Sequence, residues 1–408
     1  MKYIFSLSLV FLMICSCKPN HEKDLKIGVW RAELQVTTND ALPFIFEVTS
    51  PQSLKIYNAD EVILVNQITY SNDTIRFKTP VFEGYVEAVL NEDVMKGNFV
   101  DEDLERKVPF SAVFGKEERF ISETNAVNNN VTGSWEVVFS PNVEENRYNA
   151  KGVFKQNGNK ITGTFRTTTG DYRYLEGIMD GSTMKLSTFD GAHAFLFIAE
   201  VEGETMKGVF YSGNHWEEPF EAKRNDAYEL PDANTLTLLK EGYETLEFSF
   251  PDTEDRMVSL TDNRFKDKVV VVQIMGTWCP NCLDESTYYS EYYYNDKNEA
   301  VEFVALAFEY AKTKEKAIGN IKRLKENLGI SYPVLLAQYG TSAKDKAQEK
   351  LPMLNHVLSY PTTVFIDKKG KVRKIHTGFN GPATGQKYTE FKAEFTAFVE
   401  MLANEQLK

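Results

Sequence analysis

The stretch that decides the fold of the C-terminal region covers residues 269–282 and has the sequence VVVVQIMGTWCPNC. Its first six residues form an almost continuous apolar run, which is typical of a strand buried on both faces of a parallel or mixed sheet. A segment with helical character follows the second cysteine. The sequence therefore predicts two cysteines, separated by two residues, at the point where a buried strand passes into a helix.

This placement favours redox chemistry at Cys279 and Cys282. A cysteine at the first turn of a helix faces unpaired N–H groups and the positive end of the helix dipole, which favour its thiolate. Cys282 lies three residues later on nearly the same face, so it can attack a mixed disulfide formed by its neighbour. We predict Cys279 as the nucleophile and Cys282 as the resolving thiol. A purely structural disulfide between the two is the alternative.

Downstream of the cysteines, strand and helix patterns alternate. Apolar runs at residues 301–308 and 332–336 are predicted strands, and Gly329 caps the helix that lies between them. Residues 362–366 and 372–375 flank the sequence DKKG and are predicted to form a hairpin. A final helix carries its apolar side chains on one face. The predicted order is β, α, β, α, β, α, β, β, α.

From about residue 246 to the end, the chain resembles the TlpA/ResA-like thiol:disulfide oxidoreductases, which are membrane-tethered proteins with a thioredoxin fold. The resemblance rests on FPD at residues 250–252, GTWCPNC at 276–282 and YPTTVFID at 360–367. It implies an α/β thioredoxin-like domain over residues 240–408, with a redox-active disulfide as its only cofactor and no metal. The implied substrate-binding residues are Trp278, Tyr360 and Pro361, the last as a cis-proline beside the cysteines. A trans proline at the start of a strand is the alternative for Pro361.

Glu285 corresponds to a glutamate that this family keeps near the inner cysteine, so we include it among the catalytic residues. A partly buried carboxyl there would have a raised pKa and could carry the proton of Cys282. The alternative is an ordinary carboxylate at the helix start, stabilised by the helix dipole, or a solvated surface charge. Glu309, at the end of the second strand, is a weaker candidate for the proton-carrying role. Family members often have proline directly before the second cysteine, where this chain has Asn281. The redox potential and the direction of electron flow therefore do not follow from the sequence.

The first half of the chain has a different pattern, with short runs of Val, Ile, Phe, Tyr and Thr broken by Gly, Asn and Asp. This pattern predicts antiparallel strands. Several phrases also recur about 105 to 111 residues later, such as GVW at 28–30 with GSW at 133–135 and MKGNF at 95–99 with MKGVF at 206–210. We predict two tandem antiparallel β modules, residues 25–120 and 131–224, the second a repeat of the first. Each is expected to be a meander, sandwich or barrel with its first-strand tryptophan packed inside.

The N-terminus carries a short apolar segment that ends in two cysteines. Residues 4–16 are mostly apolar but span only about 13 residues, whereas a membrane-spanning helix needs about 20. The sequence ICSC at 14–17 resembles a lipobox, which implies that residues 1–16 are a signal peptide and that Cys17 is lipidated. An ordinary signal with incidental cysteines is the alternative.

Length, charge and cysteine count limit the class of protein. The chain has 408 residues, so two or three domains are expected. Its 46 Lys and Arg against 59 Asp and Glu leave a formal charge of −13, which disfavours nucleic acid as a partner. Four cysteines are too few for a disulfide scaffold.

These observations predict a multidomain enzyme of the bacterial cell envelope, anchored to the lipid bilayer through Cys17 and facing the periplasm. The expected activity is reduction of protein disulfides, with a membrane thiol reductase as electron donor. A disulfide oxidase or isomerase is one alternative. A cell-envelope lipoprotein whose β modules bind a ligand or partner is another.

Overall fold

The computed structural model describes residues 24–123, 126–296 and 298–406. It contains two nine-stranded antiparallel sheets followed by an α/β domain. This arrangement confirms the multidomain organisation, with two β-rich parts before a C-terminal α/β part. The predicted signal peptide and Cys17 lie outside the described residues. The exact domain limits stay a prediction.

The first sheet is an up-and-down meander that rolls up on itself. Its strands are β1 (Gly28–Gln35), β2 (Ala41–Ser50), β3 (Ser53–Asn58), β4 (Glu61–Val65), β5 (Ile68–Ser71), β6 (Thr74–Lys78), β7 (Tyr85–Asn91), β8 (Val94–Asp101) and β9 (Arg106–Phe114). Strand β9 pairs with β1, so β4 and β5 form the two edges of the sheet. Because only two residues connect β4 with β5, these edges are held close together, and we describe this sheet as the first barrel.

The second sheet closes into a complete ring. Its strands are β10 (Gly133–Phe139), β11 (Tyr148–Asn157), β12 (Lys160–Thr167), β13 (Gly170–Asp171), β14 (Leu175–Asp180), β15 (Thr183–Phe189), β16 (Ala194–Glu202), β17 (Thr205–Ser212) and β18 (Trp216–Arg224). Strand β11 pairs with both β10 and β12, and β18 pairs with β10. Full closure removes exposed sheet edges. The short β13 extends from β12 outside this ring, and we call this sheet the second barrel.

A buried tryptophan marks the first strand of each barrel, as predicted. Trp30 and Trp135 are both fully buried. Each indole N–H donates to a carbonyl four residues earlier, at 3.0 Å to Lys26 and 2.9 Å to Val131. Burial of a large ring is favourable only when its N–H finds an acceptor, and both sites meet that condition in the same way. The second barrel is filled further by aromatic rings, namely Phe139, Phe154, Phe165, Phe197 and Phe220.

The C-terminal domain has the predicted order of elements. A two-stranded ribbon, β19 (Ser249–Pro251) with β20 (Met257–Ser259), precedes β21 (Val269–Met275), α1 (Pro280–Asn295), β22 (Val301–Phe308), α2 (Lys314–Leu328), β23 (Val334–Gln338), α3 (Lys344–Lys350), β24 (Thr362–Ile366), β25 (Val372–Thr377) and α4 (Gln386–Asn404). The sheet order is β23-β22-β21-β24-β25, with β21, β22 and β23 parallel. Every residue of β21 is buried, as its apolar run predicted. The strand predicted over residues 332–336 begins two residues later, at Val334.

The three bodies are packed against one another. Val81 and Phe82 of the first barrel belong to the core of the C-terminal domain. Phe44 of the first barrel stacks on Phe189 of the second, with ring centroids 4.4 Å apart. Arg119, between the barrels, is buried and donates to carbonyls of both, including Pro43 at 3.3 Å and Ser187 at 3.4 Å. No described helix combines the length and apolar character that crossing a membrane requires.

Candidate active site

Cys279 and Cys282 lie at the start of α1, shortly after the end of β21, the central strand of the sheet. Cys279 is the N-cap residue, and its Sγ accepts the backbone N–H of Cys282 at 3.2 Å. Its thiol also donates to the carbonyl of Tyr360 at 3.3 Å. Both cysteines are free thiols, and Cys279 retains 7% exposure while Cys282 has none. The outer sulfur is therefore the one that a substrate can reach.

Burial holds the inner thiol in its protonated form. The pKa of Cys282 is raised well above its ordinary value, chiefly by loss of solvent and then by the neighbouring Cys279. The nearby carboxyl of Glu285 adds to the rise. A buried thiol of this kind needs a proton acceptor before it can act as a nucleophile.

The residues predicted to bind substrate surround the outer cysteine. The Tyr360–Pro361 peptide bond is cis, which agrees with the family resemblance and excludes the trans alternative. Trp278 donates from its indole N–H to the carbonyl of Phe308 at 2.9 Å. Its ring lies edge-on to Tyr360, with centroids 5.6 Å apart. The structure thus brings Trp278, Tyr360 and Pro361 together at Cys279, and their role in binding stays a prediction.

Glu285 is fully buried beneath the cysteines, so a surface charge is excluded. Its carboxylate oxygens accept hydrogen bonds from Gln273 Nε2 at 2.8 Å, Thr363 Oγ1 at 2.9 Å and Tyr289 OH at 3.1 Å. Loss of solvent nevertheless dominates and raises the pKa of Glu285 to about 7. A carboxyl with that pKa can accept and return a proton near neutral pH.

Glu309 is a second buried carboxyl beside the motif, with a different set of contacts. Its two oxygens accept the N–H of Thr277 at 2.8 Å and the hydroxyl of Thr277 at 2.6 Å. Burial raises its pKa to about 7. These bonds hold the turn that leads into Trp278 and Cys279, so Glu309 positions the motif.

The structure adds a residue that the sequence did not indicate. Arg173 of the second barrel donates from Nη1 to the carbonyl of Pro280 at 3.0 Å. It also pairs with Asp284 of α1 at 2.8 Å and with Asp190 at 3.3 Å, and it contacts Glu61 of the first barrel. Burial raises the pKa of Asp284 to about 7. No local motif distinguishes Arg173, since the contact depends on how the second barrel docks.

Among the described residues, no group of three or more His, Cys, Asp or Glu side chains is arranged to hold a metal ion. The tyrosines of α1 divide between buried and exposed positions. Tyr288, Tyr289 and Tyr292 are buried, whereas Tyr294 is 88% exposed. Most of this tyrosine cluster therefore serves helix packing.

Comparison with known proteins places this site in a family. The Redoxin family model matches residues 240–390. The thiol-disulfide oxidoreductase ResA of Geobacillus thermodenitrificans is 31% identical over 132 residues, which cover 32% of this chain and 66% of that protein. ResA of Bacillus subtilis is 31% identical over 140 residues, which cover 34% of this chain and 69% of that protein.

A solved structure also aligns with the chain. It is a thiol:disulfide interchange protein of the thioredoxin family from Chlorobium tepidum TLS, 21% identical, covering 40% of this chain and 99% of that one with a TM-score of 0.29. The alignments with the two ResA proteins span about two thirds of their length and about a third of this chain. On the similarity to the two ResA proteins, the chain belongs to the family of ResA-like thiol-disulfide oxidoreductases.

Proposed function

We propose that this protein is a membrane-anchored, extracytoplasmic thiol:disulfide oxidoreductase that reduces protein disulfides through Cys279 and Cys282. The observation that carries the proposal is the contact of Cys279 Sγ, at the N-terminus of α1, with the backbone N–H of Cys282 at 3.2 Å. An N–H group and a helix dipole aimed at this sulfur stabilise negative charge on it.

In the first step, the thiolate of Cys279 attacks one sulfur of the substrate disulfide. The substrate S–S bond breaks, a mixed disulfide forms, and the second substrate sulfur leaves as a thiolate. The exposure of Cys279, compared with the fully buried Cys282, supports this order of attack.

In the second step, Cys282 loses its proton and attacks Sγ of Cys279. Glu285 is the proton acceptor in this proposal, because it is close enough for its charge to raise the pKa of Cys282 and its own pKa is about 7. The mixed disulfide breaks, and the proton that Glu285 accepted passes to the leaving sulfur, while the first substrate thiolate takes its proton from solvent, which received the proton of Cys279. Two electrons have then passed to the substrate, and the protein holds a Cys279–Cys282 disulfide.

Return to the dithiol requires a reductant, which we propose to be a membrane thiol reductase acting on the same pair of sulfurs. Lipidation of Cys17 would hold the enzyme at the bilayer of the cell envelope, on the periplasmic side. In cells, we expect the parent protein in the membrane fraction and the Cys17→Ser variant in the soluble fraction. Equal distribution of both would contradict the anchor.

Turnover assays and trapping with the full chain test the redox function. We expect the protein to accelerate reduction of insulin by dithiothreitol and the Cys279→Ser variant to lose this acceleration. We expect the Cys282→Ser variant to accumulate mixed disulfides, because the attack that releases the substrate is absent. A Ser140→Ala variant, altered inside the second barrel, is the control for substitution as such. Undiminished activity of Cys279→Ser would overturn the proposal.

A further inference from the structure

The second barrel contributes directly to the surface around Cys279. Residues 168–173, which include β13 and connect β12 to β14, lie against three separate parts of the redox site. We call these residues the barrel flap. The flap contacts the cysteine turn through Arg173, as described above. Its Thr169 carbonyl accepts the hydroxyl of Ser359 at 2.9 Å, and its Asp171 Oδ2 accepts the N–H of Gly381 at 2.6 Å.

The contact leaves no room for another chain segment between the flap and the redox domain. A Cβ added to Gly170 would lie 2.0 Å from the side-chain nitrogen of Asn281. A Cβ added to Gly378 would lie 2.8 Å from the backbone carbon of Thr169. Both distances are shorter than real Cβ contacts, so backbone and side chains here are already at van der Waals separation.

The flap covers the segment before Pro361, on one side of Cys279: its Thr169 contacts Ser359, and the next residue, Tyr360, contacts Cys279. Pro361 has no N–H, and the backbone beside such a residue cannot pair fully with a neighbouring strand of its own sheet. Pro361 directly precedes β24, an interior strand, and its carbonyl accepts the N–H of Gly378 at 2.9 Å, so the backbone that is left without a sheet partner is the short segment before Pro361. In this chain Pro361 is buried and Cys279 keeps only 7% exposure, while Trp278 remains partly exposed.

We propose that the barrel flap controls access by substrate size: in the arrangement of the structure it keeps protein segments away from Cys279, so that small disulfides approach freely beside Trp278 while protein disulfides must wait for the flap to move. The inference rests on the proposed oxidoreductase function and concerns the substrates of that same site. A protein disulfide reacts only in molecules whose flap has moved away. A small disulfide reacts in the arrangement that the structure shows.

An ion-pair network holds the flap closed. Arg173 is buried and lies among Asp284 of α1, Asp190 of the second barrel and Glu61 of the first. Moving the flap would separate this guanidinium from Asp284 and from the carbonyl of Pro280. Loss of partners around a buried charge is costly, so the open form is a minor population.

Labelling of Cys279 in the full chain tests the flap without any substrate. In a Cys282→Ser background, the rates of modification by iodoacetamide and by a protein-sized polyethylene glycol maleimide are compared, and peptide mass spectrometry locates each label. The Asp171→Ala variant removes the acceptor of the Gly381 N–H and also that of the Arg173 backbone N–H, at 2.7 Å within the flap. We expect it to raise the rate with the bulky reagent about tenfold, which corresponds to ~1.4 kcal/mol, and the rate with iodoacetamide much less.

Asp226→Ala is the matched control, because Asp226 Oδ1 also accepts a backbone N–H, that of Ser134 at 2.8 Å, within the second barrel. It should leave both rates unchanged. Near-ultraviolet circular dichroism checks that each variant is folded. Ser359→Ala removes only the hydrogen bond to Thr169, so it should raise the rate with the bulky reagent as well, but by less. The proposal would be overturned if the ratio of the rate with the bulky reagent to the rate with iodoacetamide were the same in the parent, in Asp171→Ala and in Ser359→Ala.

Turnover separates this proposal from the proposed function. With both active-site cysteines present, Asp171→Ala should raise reduction of insulin relative to reduction of hydroxyethyl disulfide. If parent and variants reduce both disulfides with the same relative rates, the flap proposal fails and the oxidoreductase stands. If none of them reduces either disulfide while the labelling changes as expected, the oxidoreductase fails and the flap stands as a cover over Cys279.

Discussion

Glu285 is a buried carboxyl that connects the sheet with the helix that carries Cys282. Three neutral donors surround it, on β21, on β24 and on α1 itself. These hydrogen bonds favour the ionised form, but loss of solvent outweighs them and its pKa lies at about 7. The fraction of carboxylate able to accept a proton from Cys282 therefore rises as the pH increases through this value.

The Glu285→Gln variant tests this proton transfer. We expect release of substrate from the mixed disulfide to slow by about 100-fold, the lower range for general base catalysis. The pH profile of this step, measured in single turnovers, should show an inflection near pH 7 in the parent and lose it in the variant. Thr287→Val, on the same helix, is the control. An unchanged inflection would show that another group carries the proton.

The site at this scale was partly accessible from the sequence. Cys279 and Cys282 follow from their position between strand and helix, and Glu285 and Pro361 followed from motifs shared with a family. Arg173 and Asp284 could not be recognised, because an arginine in one barrel and an aspartate in α1 become partners only through docking. Neither residue belongs to a local sequence motif that would indicate an ion pair.

At the level of elements, the two barrels share the way in which their first and last strands are joined and their tryptophan is buried. The first strand of each pairs with the last, and its tryptophan turns inward with the indole N–H bonded to the preceding segment. Alternation of apolar and polar residues made the strands predictable. Closure of the sheets was not predictable from the sequence. It depends on turn geometry and sheet twist, which pair β11 with β12 in the second barrel but leave the neighbouring edges β4 and β5 unpaired in the first.

Replacing this tryptophan tests its role in the second barrel. We expect Trp135→Ala to lower the free energy of unfolding by about 3–5 kcal/mol, because a large fully buried ring is lost and a cavity remains. Urea denaturation measures the change. Trp216→Ala is the matched control in the same barrel, where the ring is 47% exposed, and it should cost less than about 1 kcal/mol. Equal losses in both variants would contradict the packing argument.

At the scale of the whole molecule, buried carboxyls make stability depend on pH, and three of them have pKa values near 7. Burial raises the pKa of Asp284, Glu285 and Glu309 to about 7. In an unfolded chain these groups titrate near 4, so between about pH 4 and 7 the folded protein binds more protons than the unfolded one. Their contribution is present in full below pH 4 and is lost as the pH rises through 7. His215 and His376, with pKa values lowered to about 4, oppose this trend below about pH 6.5.

We therefore expect the free energy of unfolding to decrease between about pH 6.5 and 8, by up to ~1.4 kcal/mol per pH unit for each proton released. Urea denaturation at several pH values measures this slope. Glu309→Gln should make the dependence of the unfolding free energy on pH shallower, because it removes one of the carboxyls with a pKa near 7. Glu326→Gln, on α2, is the control and should leave this dependence unchanged. A stability that rises with pH over this range would contradict the burial of these carboxyls.

The sequence by itself determined the order of elements in the C-terminal domain, the antiparallel character of the first half and the placement of two cysteines between a strand and a helix, because each follows from residues close together in the chain. Apolar periodicity, turn residues and a cysteine at a helix start act over a few residues. The tertiary structure alone decided that the second barrel reaches the redox site and that Arg173 meets Asp284. Those contacts join residues more than a hundred positions apart, and only the packing of whole domains brings them together.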